Sequence, residues 1–376
     1  MAKSMQKRGL RSVMQAWVPS VNAGKRVSFR RRSWLGLLLA VVALVGLPGA
    51  RGARADEVRV LFEGANTEKL PFLKTYVTLV DGDGKPVRSK SGYKLFQDTV
   101  EQKELQITYT PVSEAKEPID LVAVVQLSSV MEPAIKQVRS GIEKLAKSLL
   151  KHHADSRVAL IGFATEVKRL EDFGHPNAIA RDLDKLAVDG DATESRLIDA
   201  LRVAIDLARE KPERRRRIVL FSDGIDTSAG KEAFTEVARR AREAGAVIDS
   251  IGFTQFEAGR LRSLIDLSKT TAGTARRCKT PEDIEGRYAE VSETLFSTGI
   301  ISFGLTQSGD NANHAIQIGF HKGNEDTLSE PLQIQLPAFE PAETAGRGWM
   351  FWVLVVVGGL FGLLVLLYIV GRILEK

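Results

Sequence analysis

Two apolar runs constrain this chain more than anything else in it. Ile119–Leu127 is apolar but for Asp120 and Gln126 and stops at Ser128-Ser129; Ile218–Phe221 stops at Ser222-Asp223-Gly224. Such runs suit strands that are covered on both faces, as in a parallel sheet between two layers of helices. Ligands of such sheets are handled by loops beyond the carboxyl ends of the strands. Both runs end in small polar residues, so both direct attention to the same rim.

The rest of the middle of the chain agrees with this reading. Beyond the first run, Ile135, Val138, Ile142, Leu145 and Leu149 repeat at helical spacing within Met131–His153. A strand over 157–164, an edge segment near 167–173 and a helix over 195–210 follow. After the second apolar run come a helix over 231–244, a strand over 246–253, a helix over 261–270, a short strand near 275–278 and a helix over 281–295. This alternation over 117–298 predicts an α/β fold with a doubly wound, mostly parallel sheet flanked by helices. Residues 56–116 and 299–337 show strand patterns instead, among them Thr75–Val80, Tyr93–Phe96, Leu105–Tyr109, Ile300–Leu305, Ala315–Phe320 and Leu332–Leu336. Each segment is too small to bury a core of its own. The expectation is therefore one β-sandwich made from both, with the α/β domain inserted between them. Asp81–Pro86 faintly resembles a calcium loop but lacks its later acidic positions, and reads as a turn.

The two ends differ from the body. Residues 1–55 carry 11 of the 53 Lys and Arg and no acid, which leaves 42 basic against 47 acidic groups in the remainder. The body is mildly acidic, and nucleic acid is not an expected partner. Arg30-Arg31-Arg32, the apolar run 34–47 and Ala53-Arg54-Ala55 read as a signal peptide over 1–55, with Asp56 the first mature residue. Arg31–Leu35 also resembles part of a twin-arginine signal. Residues 338–348 form a linker. Trp349–Val370 has no charge, and at about 1.5 Å per residue its 22 residues span ~33 Å, enough for a bilayer core. The expectation is one C-terminal transmembrane helix, a cytoplasmic tail over 371–376, and a body outside the cytoplasm or in the periplasm, tethered to the plasma (inner) membrane. Gly358 and Gly362 form a GxxxG through which two such helices could pair as a homodimer. Cys278 is the only cysteine, so no disulfide forms within the chain, and it is expected buried in a strand.

In its order of motifs the chain resembles the von Willebrand factor type A family. The resemblance rests on the first strand with its Ser128-Ser129 end, Asp199-Ala200-Leu201, Ser222-Asp223-Gly224, Gly245–Phe253 and Thr271-Ala272-Gly273. It covers roughly residues 117–298. The flanking β segments are similar to those around such domains in bacterial envelope proteins. The resemblance implies a Mg²⁺ or Mn²⁺ site at the carboxyl end of the sheet, made by a D-x-S-x-S, a threonine and a distant aspartate. Here Gln126 stands at the first aspartate, Ser128 keeps the first serine, Val130 replaces the second, and Asp223 matches the distant aspartate. Ser195 falls at the threonine, with Thr193 close by. Loss of a unit charge about 4 Å from a divalent ion forfeits several kcal/mol even at an effective dielectric of about 20. The expectation is a degenerate site with no tight cofactor, at most weak Mg²⁺ or Ca²⁺ on Ser128, Ser195 and Asp223. Asp189, Asp191 and Asp226 lie on neighbouring loops as potential compensating ligands.

Other charged clusters have plain readings. His152-His153 ends a helix, where cations suit the dipole. Arg214–Arg217 precedes a strand on the opposite rim and reads as a solvated loop, with contact to anionic lipid or an acidic partner as the alternative. No nucleophile elbow, Walker loop, zincin motif or metal-spaced cysteine set occurs, so an enzyme is not expected. The leading expectation is an interaction, adhesion or scaffold protein that meets another envelope or extracellular protein through Gln126, Ser128, Ser129, Asp191, Thr193, Ser195, Asp223 and Asp226. A metal-dependent adhesin with an altered site, or an accessory regulatory subunit of a membrane enzyme or transporter, are the alternatives.

Overall fold

The structure, a computed structural model, describes residues 58–340 apart from 104, 212–213, 255–257, 306–308 and 324. The expected signal peptide, the membrane helix with Gly358 and Gly362, the cytoplasmic tail and most of the linker lie outside the described residues. Among the described residues, no helix is long and apolar enough to cross a membrane.

The central sheet is built from β7 (Ile119–Gln126), β8 (Arg157–Phe163), β9 (Val167–Gly174), β10 (Arg215–Ser222), β11 (Ala246–Phe253) and β12 (Ala275–Cys278). Its order is β12-β11-β10-β7-β8-β9, parallel throughout except for β9, which pairs antiparallel at one edge. Every residue of β7 is buried. Because successive side chains face opposite ways, the strand feeds two cores. Leu121, Ala123 and Val125 pack with α1 (Ile135–His152) and α6 (Asp283–Phe296). Val122 and Val124 pack with α3 (Leu197–Ala208), α4 (Lys231–Glu243) and α5 (Arg262–Thr270). At the contact of α1 with α6, a Cβ on Gly141 would stand 2.3 Å from the Tyr288 ring, so only glycine allows this approach. Cys278 is buried, and burial pushes its thiol up to about 12, which leaves it inert.

Element boundaries depart from the sequence reading where proline acts. The segment after β7 makes a single 3-10 turn at Ser129–Met131, and α1 begins only after Pro133. A helix absent from that reading, α2 (Pro176–Asp182), starts with its proline in the first turn, where a missing N–H costs nothing.

Two further sheets form a sandwich. One orders β1 (Arg59–Asn66), β2 (Phe72–Val80), β13 (Gly299–Gly304) and β6 (Gln106–Pro111), with β3 (Pro86–Val87) on β2. The other orders β15 (Glu325–Leu328), β14 (Asn313–Lys322), β4 (Tyr93–Gln97) and β5 (Val100–Gln102), with β16 (Leu332–Gln335) on β14. Leu73, Val77, Ile301 and Phe303 of the first meet Leu95, Ile316, Ile318 and Phe320 of the second in one core. The α/β domain leaves β6 and returns into β13, and these ends are partners: Gly299 stands opposite Pro111. The insertion therefore begins and ends at one point of the sandwich.

Arg214–Arg217 corrects the sequence reading, because the run is not a solvated loop. β10 starts at Arg215, and Arg215 and Arg217 are buried. Arg217 donates from Nη1 to Asp249 (3.0 Å) and from Nη2 to Glu63 of β1. Arg215 Nη2 reaches Glu63 Oε2 at 2.9 Å and Thr298 Oγ1 at 3.0 Å. Thr78 Oγ1 donates to Glu63 Oε1 at 2.7 Å. Arg214 Nε meets Asp120 Oδ1 at 2.6 Å. Burial by itself would raise the Glu63 carboxyl, but Arg217 and Arg215 outweigh it and hold the group at about 2.

Removing one member of such a pair strands a buried charge. Arg217→Met is expected to cost about 3–5 kcal/mol in denaturant unfolding; an unchanged midpoint would contradict this account of the clamp. A second ionic staple sits on the sandwich, where His314 Nδ1 lies 2.6 Å from Asp98 Oδ2 and Nε2 lies 2.9 Å from Asp310 Oδ1. Hydrogen bonds to these carboxylates raise the His314 pKa, and the histidine lowers both of theirs. The histidine contribution is full below its unfolded value of about 6.5 and is lost as pH rises through the raised folded value. The carboxylate contribution is present above about 3.9 and is lost as pH falls through the lowered folded values. The melting-temperature gap between wild type and His314→Asn should thus be widest between these limits and shrink at alkaline pH; a pH-independent gap would refute the staple.

Candidate functional site

The strand order reverses between β7 and β10, so their following helices turn to opposite faces and leave a crevice at the carboxyl ends. Gln126 ends β7, and Ser222 ends β10. Their side chains join across the crevice. Gln126 Oε1 accepts from Ser222 Oγ at 2.7 Å and from the Asp223 N–H at 3.0 Å. Gln126 Nε2 donates to Ser128 Oγ at 2.8 Å. The Asp223 N–H is a donor and needs an oxygen opposite it, which fixes the orientation of the amide.

Three loops meet over this amide. The Ser128 loop pairs with the next one through a bridge at Asp189 and through Ser129 N–H to Ala192 O (3.2 Å). The 189–196 loop joins the third at Thr227, whose N–H donates to Ser195 O at 2.9 Å and whose Oγ1 accepts from Ser195 N–H at 3.0 Å. Asp226 closes the set. Its Oδ2 accepts the Ile198 N–H at 2.7 Å, capping α3 from another loop, and Oδ1 accepts from Ser228 N (2.8 Å) and Ala229 N (2.7 Å). At the end of β10, Gly224 has φ +82°, and a Cβ there would stand 2.7 Å from Arg260 O. Asp223 Oδ1 accepts the Ile225 N–H at 3.0 Å. Burial raises the Asp223 carboxyl, partly offset by that N–H and by Gln126.

The structure thus gathers the eight sequence-selected residues on one rim but in two layers. Gln126, Ser128 and Ser195 are buried, so as direct partner contacts they are corrected: their polar atoms lie beneath the surface. Asp191 and Thr193 are exposed, and Ser129, Asp223 and Asp226 are partly so. Ser128 does not cap the turn that follows it, its hydroxyl being engaged by Gln126. Both oxygens of Asp226, expected as a potential compensating ligand, serve backbone N–H groups of the loops. Two contributors were not singled out as site residues by sequence reasoning: Ser222, read only as part of the Ser222-Asp223-Gly224 strand end, and Thr227. Val130 is 56% exposed and offers no side-chain oxygen.

Among the described residues at the ends of β7 and β10, the one carboxylate is that of Asp223. The Ser195 Oγ is buried without a hydrogen-bond partner. The Gln126 oxygen is occupied by two donors, and its amide nitrogen presents positive charge towards Ser128. Among the described residues, no group of three His, Cys, Asp or Glu stands close enough to hold a metal ion.

The family model for the von Willebrand factor type A domain matches residues 120–290. That stretch is a von Willebrand factor type A domain. Such domains commonly mediate protein–protein interaction and adhesion. No curated protein matches the chain. Among solved structures, the conserved hypothetical protein BatB from Bacteroides thetaiotaomicron is similar at 15% identity, covering 47% of this chain and 98% of its own, with a TM-score of 0.39. The von Willebrand domain of the type V pili tip protein Mfa5 from Porphyromonas gingivalis is similar at 13% identity over 48% of this chain and 95% of its own, with a TM-score of 0.40. Proximal thread matrix protein 1 from the mussel byssus, with a zinc-occupied MIDAS motif, matches at 14% identity over 52% of this chain and 49% of its own, with a TM-score of 0.42.

The trans cap on α3 gives a direct test of how the domain's loops are held. Asp226→Ala should destabilise the fold by about 1–2 kcal/mol, as other lost helix caps do, measured by denaturant unfolding. A change within a few tenths of a kcal/mol would show that the cap is dispensable.

Proposed function

We propose that this chain is a non-enzymatic docking protein. Its von Willebrand factor type A rim, displayed outside the cytoplasm and tethered to the membrane by residues 349–370, binds another envelope or extracellular protein. One observation carries the reading: three loops are locked together from beneath by buried polar atoms, while Asp189, Asp191, Thr193 and Val130 stand exposed above them. Preformed surfaces lose little entropy on binding. An exposed apolar residue rimmed by polar ones is the usual composition of a contact centre. The charge-free run near the carboxyl end and the basic leader support the tethering and the export.

A photo-reactive phenylalanine analogue at Thr193 should capture a discrete partner in cells, and the same analogue at Glu236 on α4 should not. Asp191→Arg in the Thr193-labelled protein should reduce capture at least about tenfold, or ~1.4 kcal/mol. Identical adducts from both positions, or capture indifferent to Asp191→Arg, would contradict docking at the rim.

A further inference from the structure

We infer that the Gln126 carboxamide takes over the structural role that a divalent cation fills in related domains, which makes the rim indifferent to Mg²⁺ and Mn²⁺. The geometry points to this substitution atom by atom. A cation between the β7 end, the Ser128 loop and the β10 end would draw oxygens from all three. Here one planar amide reaches the same three places: Nε2 to Ser128 Oγ at 2.8 Å, and Oε1 to Ser222 Oγ at 2.7 Å and the Asp223 N–H at 3.0 Å. Its polarity also excludes the ion. Both acceptor directions of Oε1 are taken, and the N–H₂ presents positive charge to Ser128. Val130 supplies no side-chain oxygen, and among the described residues at the ends of β7 and β10 only Asp223 supplies negative charge, too little for a hard cation that favours several charged or neutral oxygens.

Asparagine or a hydrophobe at position 126 would not serve. Asparagine is one methylene shorter, and a hydrophobe would leave the buried Ser222 hydroxyl and the Asp223 N–H without their acceptor. Gln126 thereby sets one fixed state of the rim, and docking does not follow the supply of divalent ions. This consequence rests on the docking function proposed above; the cation readout itself needs no partner, so the two can fail separately.

The test uses the full-length protein with MgCl₂ or MnCl₂ as the probe. Wild type should melt at the same temperature in either salt as in EDTA. Gln126→Asp combined with Val130→Ser places a second carboxylate beside Asp223, so it should melt lower than wild type in EDTA. Millimolar Mn²⁺ should raise its midpoint by about 5 °C. Val130→Ser alone changes an exposed residue and keeps the fold; with Gln126 in place it should bind Mn²⁺ no better than wild type in a titration followed by electron paramagnetic resonance. Three results would each overturn the inference: a cation-dependent shift in wild type that Asp223→Asn abolishes, Mn²⁺ binding by Val130→Ser alone, or a folded double variant with no cation response.

Discussion

The buried ion cluster of Glu63, Arg215, Arg217 and Asp249 fixes the relation between the two halves of this protein. Its two carboxylates come from β1 of the sandwich and β11 of the inserted domain, and its guanidiniums come from β10 between them. Isolated charges at this depth cost several kcal/mol each, so they are tolerated only when every partner is in place. The cluster therefore demands one arrangement of sandwich and insertion. β10 passes from this cluster at one end to Ser222 and Asp223 at the other. The strand that anchors the domain is also the strand that carries one side of the crevice.

The α/β domain was legible because its signals are local. The apolar run of β7, the helical spacing from Ile135 to Leu149 and the Ser222-Asp223-Gly224 end can each be read in a short window. The arginine run was misread for the opposite reason. Four consecutive cations look solvated unless their partners are known, and Glu63 lies 152 residues from Arg215 and 154 from Arg217. Sequence reading put Asp226 on a rim loop, but its use as a cap for α3, 28 residues upstream, depends on how two loops cross. The helix at Pro176 carried a readable signal in its proline, which the weak apolar period around it concealed.

The rim shows the same division between what a residue is and what it does. Sequence alone marks Gln126 as a lost carboxylate. In the folded chain it is an added cross-link, joining the Ser128 and Ser222 hydroxyls and the Asp223 N–H. On the inference drawn above, removing the charge and lengthening the side chain by one methylene lets the site close on itself without an ion. In the proposed reading such a site exchanges the strength of a metal–carboxylate bond for permanence, and its contacts with a partner come from the exposed layer above. Asp191, Thr193 and Val130 belong to that layer, whereas Gln126, Ser128 and Ser195 hold it up.

The most direct measurement is a crystal structure of this protein soaked in MnCl₂, with anomalous diffraction data collected for manganese. The account predicts no anomalous peak among Ser128, Ser195 and Asp223, and a Gln126 carboxamide within hydrogen-bonding distance of Ser128, Ser222 and the Asp223 N–H. A manganese peak there, with Gln126 rotated to place its oxygen on the ion, would contradict it.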